Sequence, residues 1–194
     1  MTDLTGRFAE ALQYAFFLHR HQKRKQTEVP YFTHLMSVTS LVLENDGDED
    51  QAIAALLHDA VEDQGGMPVL AEIRLRFGVR VARIVEECSD AFEMPKPPWK
   101  ERKEQYLARL PNHSADARLV SLADKVHNAR SILMSLQREG QQVWERFNGG
   151  REGTLWYYHR LVDIFCQLDD NVLTQELTQL VKEMDIRATE VDLY

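Results

Sequence analysis

Apolar positions along this chain recur every three or four residues with polar residues between them, the period of helices with one buried face. The pattern predicts a first helix over about Leu4 to His21 and a second over Thr33 to Glu44, where "NDGD" interrupts it. A third runs from about Glu49 to Glu62 and ends at "QGG". Asp48 and Gln51 flank its start as a capping box, an acid cap with a glutamine three residues on. Pro68 opens a fourth helix that closes at Gly78, and another covers Val79 to about Ser89. The Pro-rich loop "AFEMPKPPW" precedes a charged helix from Trp99 to about Leu110. Ser114 is placed to cap a long helix reaching Gln137, and "REG" and "NGG" bracket a short one around Trp144. Two last helices fall near Thr154–Leu168 and Val172–Ile186. No stretch alternates with period two between turn signals. The expectation is an all-α fold, one compact multi-helix domain over residues 1–194, without repeat or linker.

The third helix asks a chemical question. Successive helical residues turn by about 100°, which places Glu62 about 40°, Asp59 about 100° and Asp63 about 140° round from His58. Ile53, Leu56, Leu57, Ala60 and Val61 take the other side. Such a split describes a solvated acidic face as well as it describes a metal site. A metal needs converging ligands from other segments. "PYFTHLMSV" offers His34, and "VSLADKVHNAR" offers Asp124 between Leu122, Ala123 and Val126, where an unpaired acid is costly. Asn128 lies one turn beyond Asp124 on the same face. Alone, each residue has a plain structural reading; together with the His58–Asp59 pair they favour a metal centre.

Charge and cysteine content narrow the classes. Lys+Arg number 23 and Asp+Glu 31, a net charge of −8, which disfavours sequence-independent nucleic-acid binding. "RHQKRK" is the densest basic cluster, with Arg20, Lys23, Arg24 and Lys25 just ahead of His34, suited to phosphate. Lys125 beside Asp124 is a further candidate cation. "LWYYHR" carries Trp156, Tyr157 and Tyr158, which read as core aromatics, with Tyr157 the candidate for lining a pocket. His19, His21, His113, His127 and His159 read as structural or surface residues. Cys88 and Cys166 read as buried free thiols. No apolar run approaches the roughly 20 residues of a membrane span, and no signal peptide is evident, so a soluble, cytoplasmic protein is expected.

The order His34, His58-Asp59, Asp124 resembles the HD-domain metal phosphohydrolases. "KRK" before "PYFTH", then "AALLHDAVED", "FGVRVARIVEECSD" and "LADKVHNARS" are similar to the hydrolase domain of RelA/SpoT-type alarmone enzymes, and the chain resembles the small alarmone hydrolases over about Leu4 to Phe165, with a C-terminal helix appended. The resemblance implies one divalent metal, usually Mn²⁺, held by His34, His58, Asp59 and Asp124. It implies hydrolysis of the 3′-pyrophosphate of ppGpp or pppGpp. Glu62 and Asp63 match the acidic pair that handles the water and its protons, Arg24 and Lys25 the basic pair that meets the nucleotide, and Asn128 and Ser131 residues lining the nucleoside pocket. The chain departs in reading "RKQTEV" where the family often has a short "RKSG" loop, and Leu35 follows His34 where proline is common. Those departures keep open a different nucleotide, such as an adenosine alarmone, the 2′-phosphate of NADPH or a dNMP. A nucleotide partner is expected, with no membrane or nucleic acid and a possible homo-oligomer through the amphipathic last helix.

Overall fold

The computed structural model describes residues 2–92 and 95–189. Ten α-helices follow in order: α1 Gly6–His19, α2 Phe32–Glu44, α3 Glu49–Leu57, α4 Ala60–Gln64, α5 Met67–Phe77, α6 Val79–Cys88, α7 Trp99–Arg109, α8 Ala115–Glu139, α9 Gly150–Leu168 and α10 Val172–Thr189. Short 3₁₀ turns occupy Leu110–Asn112 and Gly140–Arg146, the latter carrying Trp144. Among the described residues there is no strand, so the fold is all-α as expected; Lys23 and Pro30 alone make an isolated antiparallel bridge. No described helix is long and apolar enough to cross a membrane.

Two compact units divide the chain. The first takes the residues up to Pro97 together with Asn112–Ala123, and the second takes Pro98–Pro111 with the residues from Asp124 onward.

In the first unit α3 is the centre, packed by α1, α2 and α6. Its residues Ala52, Ile53, Ala54, Ala55, Leu56 and Leu57 are all fully buried. From Ala52 to Leu57 the helix is therefore not two-faced as its sequence suggests, because neighbours cover that stretch on every side. Small alanines let those neighbours approach closely. The capping box is present: Asp48 Oδ1 accepts from Gln51 N at 3.0 Å, and Gln51 Oε1 accepts from Asp48 N at 2.8 Å. Arg80 on α6 donates to Asp48 at 2.6 Å and to Asp116 at 2.9 and 3.1 Å, while Arg7 on α1 reaches Glu49, Asp50 and the Phe77 carbonyl. These arginines fasten the polar start of α3 to its neighbours.

The expected helix from Glu49 to Glu62 is two helices, α3 and α4, with His58 and Asp59 between them. Asp59 takes φ −95° and ψ −3°, away from the helical well. The first helix also stops early, at His19. Beyond it the chain enters a narrow ladder, with Gln22 O accepting from Tyr31 N at 2.8 Å and Val29 O from Arg24 N at 2.8 Å. Gln26 closes its turn at φ 53°, a left-handed conformation normally left to glycine.

In the second unit α9 packs against α7, α10 and the Gly140–Arg146 turn. It begins at Gly150, four residues ahead of the expected Thr154, and "NGG" is its entry. A Cβ on Gly149 would come within 2.6 Å of the Trp99 indole, so glycine there serves close approach. Ser114 caps α8 as expected, its hydroxyl accepting from Ala117 N at 3.3 Å. Both cysteines are free thiols, but Cys88 is half-buried and Cys166 exposed. Cys166 stands about 100° round α9 from the buried Phe165, on the uncovered side.

Two stability outcomes follow from these contacts. Asp48→Ala removes a cap and a partner of Arg80 and should cost about 1–2 kcal/mol in urea unfolding. Burial raises the Asp48 carboxyl, but the Gln51 amide and Arg80 more than offset this and hold it below its ordinary 3.8. Its contribution is thus complete above that range and is lost as pH falls through the lower folded value; an Asp48→Ala penalty unchanged at pH 2.5 contradicts this. Gln26→Gly should stabilise by about 0.5–1 kcal/mol, since relief of the left-handed backbone outweighs the entropy of glycine.

Candidate metal centre and its surroundings

His34 enters from the first turn of α2, where its amide donates to the Tyr31 carbonyl at 2.9 Å, and its side chain is fully buried. His58 and Asp59 come from the break between α3 and α4. Adjacent residues of a regular helix point apart. The break turns them together, and His58 Nε2 stands 3.0 Å from Asp59 Oδ2, with His34 Nε2 at 3.5 Å from the same oxygen. Each of the three residues offers a ligand atom within 4.8 Å of the others.

The tautomer of His58 follows from its neighbours. Its Nδ1 lies 2.8 Å from the Ala55 carbonyl, which only accepts, so Nδ1 carries the proton. Nε2 is then the ligand atom. A lone pair facing a carboxylate oxygen at this range needs a positive charge between them, either a proton on Nε2 or a bound cation. Two imidazoles and a carboxylate, with no thiolate, form a donor set suited to a divalent ion of the Mn²⁺, Fe²⁺ or Zn²⁺ kind. The residues fit a metal.

Asp59 Oδ2 also accepts from the Tyr31 hydroxyl at 2.5 Å. Burial, then the charges of Asp59 and Asp63, push the Tyr31 phenol well above its ordinary value, so it remains a donor. Its ring stacks on His19, centroids 5.4 Å apart and 17° between planes, and meets the edge of His34. The Arg24 guanidinium lies 5.6 Å from the ring centre.

Glu62 and Asp63 follow on α4, and Lys96 ties them together. Its ammonium donates to Glu62 Oε1 at 2.9 Å and to Asp63 Oδ1 at 2.9 Å. Burial alone would lower Lys96, yet attraction to the two acids raises it above its ordinary value. The other oxygen of Asp63 accepts from Gln22 Nε2 at 2.8 Å, and Gln22 Oε1 in turn accepts from His19 Nδ1 at 2.7 Å and Gln64 Nε2 at 2.5 Å. Burial lowers the His19 imidazole, favouring its neutral form.

The structure thus brings His34, His58 and Asp59 together and sets Glu62, Asp63 and Arg24 close by along the same unit, with Lys25 exposed beside Arg24. Asp124, Lys125, Asn128, Ser131 and Tyr157 belong to the second unit. There Asp124 is buried, its Oδ1 accepting from Asn128 Nδ2 at 2.5 Å, and it pairs with Lys125. Burial lowers Lys125, but the Asp124 charge outweighs that and raises it. The Ser131 hydroxyl donates back to the His127 carbonyl at 2.9 Å. Tyr157 is buried edge-on to Trp99, at 6.3 Å.

Three contributors escaped sequence reasoning. Tyr31 carried a signal, one turn before His34 in "PYFTH". His19 passed as structural or surface because nothing local marks a histidine that stacks on a residue twelve positions away. Lys96 carried none, because its partners lie more than thirty residues earlier and its Pro-rich loop reads only as a connector.

A family model described as HD domain matches residues 11–155. The guanosine-3′,5′-bis(diphosphate) 3′-pyrophosphohydrolase MESH1 of Mus musculus is 41% identical over 135 residues, 68% of this chain and 73% of that protein. Its Homo sapiens counterpart is 40% identical over the same shares. A solved structure described as a metazoan ortholog of SpoT that hydrolyzes ppGpp superimposes with a TM-score of 0.74 at 28% identity, covering 94% of this chain and 98% of that one. With its His34 and His58-Asp59 cluster seated on α2 and at the α3–α4 break, the chain belongs to the HD-domain family, in the group that includes the MESH1 proteins.

Proposed function

We propose that this chain is a metal-dependent 3′-pyrophosphohydrolase of guanosine alarmones, converting ppGpp or pppGpp to GDP or GTP and pyrophosphate. The convergence of His34, His58 and Asp59 within 4.8 Å carries the reading. Similarity to the MESH1 proteins supplies the substrate class. Mn²⁺ is the ion we assign, with Asp124 as a fourth ligand. That ligand assignment rests on the family order of motifs and on an acid buried in α8. The family match runs through both units, which supports their acting as one domain.

A divalent ion held by His34, His58 and Asp59 would lower the pKa of water and polarise a phosphoryl oxygen. The residues do the rest. Glu62 and Asp63 orient the attacking water and take its proton. The water oxygen forms a bond to the phosphorus attached at the 3′ position while the bond from that phosphorus to the 3′ oxygen breaks. The ribose oxygen leaves with a proton and the water oxygen stays on pyrophosphate. Arg24 and Lys25 offset the phosphate charge that a chain of net charge −8 would otherwise repel. Asn128, Ser131, Lys125 and Tyr157 are the proposed nucleoside-side residues.

Purified protein with Mn²⁺ and ppGpp should release GDP and pyrophosphate in equal amounts. Turnover of pppApp, NADPH or dNMPs but not of guanosine alarmones would reassign the substrate. Glu62→Gln should lower kcat by about 10²–10⁴ while the chain keeps its ion, measured by elemental analysis. Asp124→Ala should lose both ion and turnover; a variant that keeps one ion per chain would remove Asp124 from the ligand set.

A further inference from the structure

Tyr31 stands where two functions meet. Its backbone is fixed on both sides, the amide donating to Gln22 O at 2.8 Å in the basic ladder and the carbonyl accepting from His34 N at 2.9 Å at the start of α2. Its hydroxyl donates to Asp59 Oδ2 at 2.5 Å, the same oxygen that faces His34 Nε2 and His58 Nε2. Its ring is backed by His19, stacked at 5.4 Å, and carries the Arg24 guanidinium at 5.6 Å, within range of a cation–π contact. A phenol hydroxyl hydrogen-bonded to the ligating carboxylate limits how that carboxylate can turn. An aromatic face beside the Arg24 guanidinium restricts where its charge sits.

We propose that Tyr31 is a positioning residue that couples the metal centre to the phosphate-binding cation: its hydroxyl aims Asp59 Oδ2 at the two histidines, and its ring seats Arg24. The inference rests on the reading of His34, His58 and Asp59 as ion ligands and of Arg24 as a phosphate contact. It explains why the basic ladder and the first histidine are joined by so short a stretch. Arg24 lies over the Tyr31 ring and His34 meets its edge, so both are referenced to one residue.

The two roles separate by substitution. Tyr31→Phe keeps the ring and removes the hydroxyl. Mn²⁺ affinity of the metal-stripped protein, measured by equilibrium dialysis, should weaken about 10-fold or more, as for other residues that orient a ligand. Its KM for ppGpp at saturating Mn²⁺ should stay within about twofold of wild type, because Arg24 keeps its seat. Tyr31→Leu should show the same loss of Mn²⁺ affinity and, in addition, a KM raised about three- to tenfold with kcat less affected. If Tyr31→Leu does not fold, Tyr31→Met makes the comparison with an unbranched side chain. A Tyr31→Phe variant with wild-type Mn²⁺ affinity overturns the hydroxyl tie, and equal KM values in the Phe and Leu variants overturn the seating of Arg24. Wild-type protein that binds no Mn²⁺ overturns the metal reading itself, a result distinct from a wild type that binds the ion beside an unaffected variant.

Discussion

Crowding of two imidazoles and a carboxylate at the buried end of α3 is the constraint on which this structure turns. Asp59 Oδ2 stands 3.0 and 3.5 Å from two histidine nitrogens, and both histidines are buried. Such a cluster is costly in an apolar interior unless positive charge sits within it. The fold accepts that cost locally. It interrupts a helix so that neighbouring side chains meet, and it fixes the tautomer of His58 against the Ala55 carbonyl. Around this break the packing is uncompromising, since six consecutive residues of α3 are sealed from water. A rigid wall on one side and a broken helix on the other leave the polar atoms little freedom to do anything except converge.

The electrostatics continue the same logic one turn later. Glu62 and Asp63 are like charges on neighbouring residues, and Lys96 donates to both from a Pro-rich loop, which offsets part of their repulsion. Gln22 holds the second oxygen of Asp63 and is itself held by His19 and Gln64. Each acid therefore has an oriented carboxylate, which a solvated surface pair would lack. Positioning of this kind suits the water-activating role proposed for the pair, because loss of alignment costs rate even when the groups are retained. The Arg24 guanidinium of the basic ladder lies over the Tyr31 ring, 5.6 Å from its centre.

Much of this was legible in the sequence, and the reasons differ from element to element. The all-α class, the capping box at Asp48 and Gln51, the proline at the start of α5 and the serine cap of α8 are local effects, readable from neighbouring residues. The meeting of His34 with His58 and Asp59 was legible because they come from two ordered segments that resemble the HD-domain pattern. The break at His58 was not, because periodicity sees a continuous helix and the interruption is imposed by tertiary packing and the side-chain bond to Ala55. The early start of α9 was hidden because glycine reads as a turn, whereas here it admits the Trp99 ring. Lys96 and His19 were hidden for a third reason. Their partners are remote in sequence, and no single-residue signal marks a lysine that holds two acids or a histidine that backs a tyrosine.

The central claim is that His34, His58 and Asp59 hold one divalent ion. Diffraction from Mn²⁺-loaded crystals at the manganese absorption edge tests it without reference to activity. The account predicts one strong anomalous peak bounded by His34 Nε2, His58 Nε2 and a carboxylate oxygen of Asp59, at ligand distances of about 2.0–2.2 Å. Fully occupied manganese elsewhere on the chain, with no peak among these three residues, would contradict it.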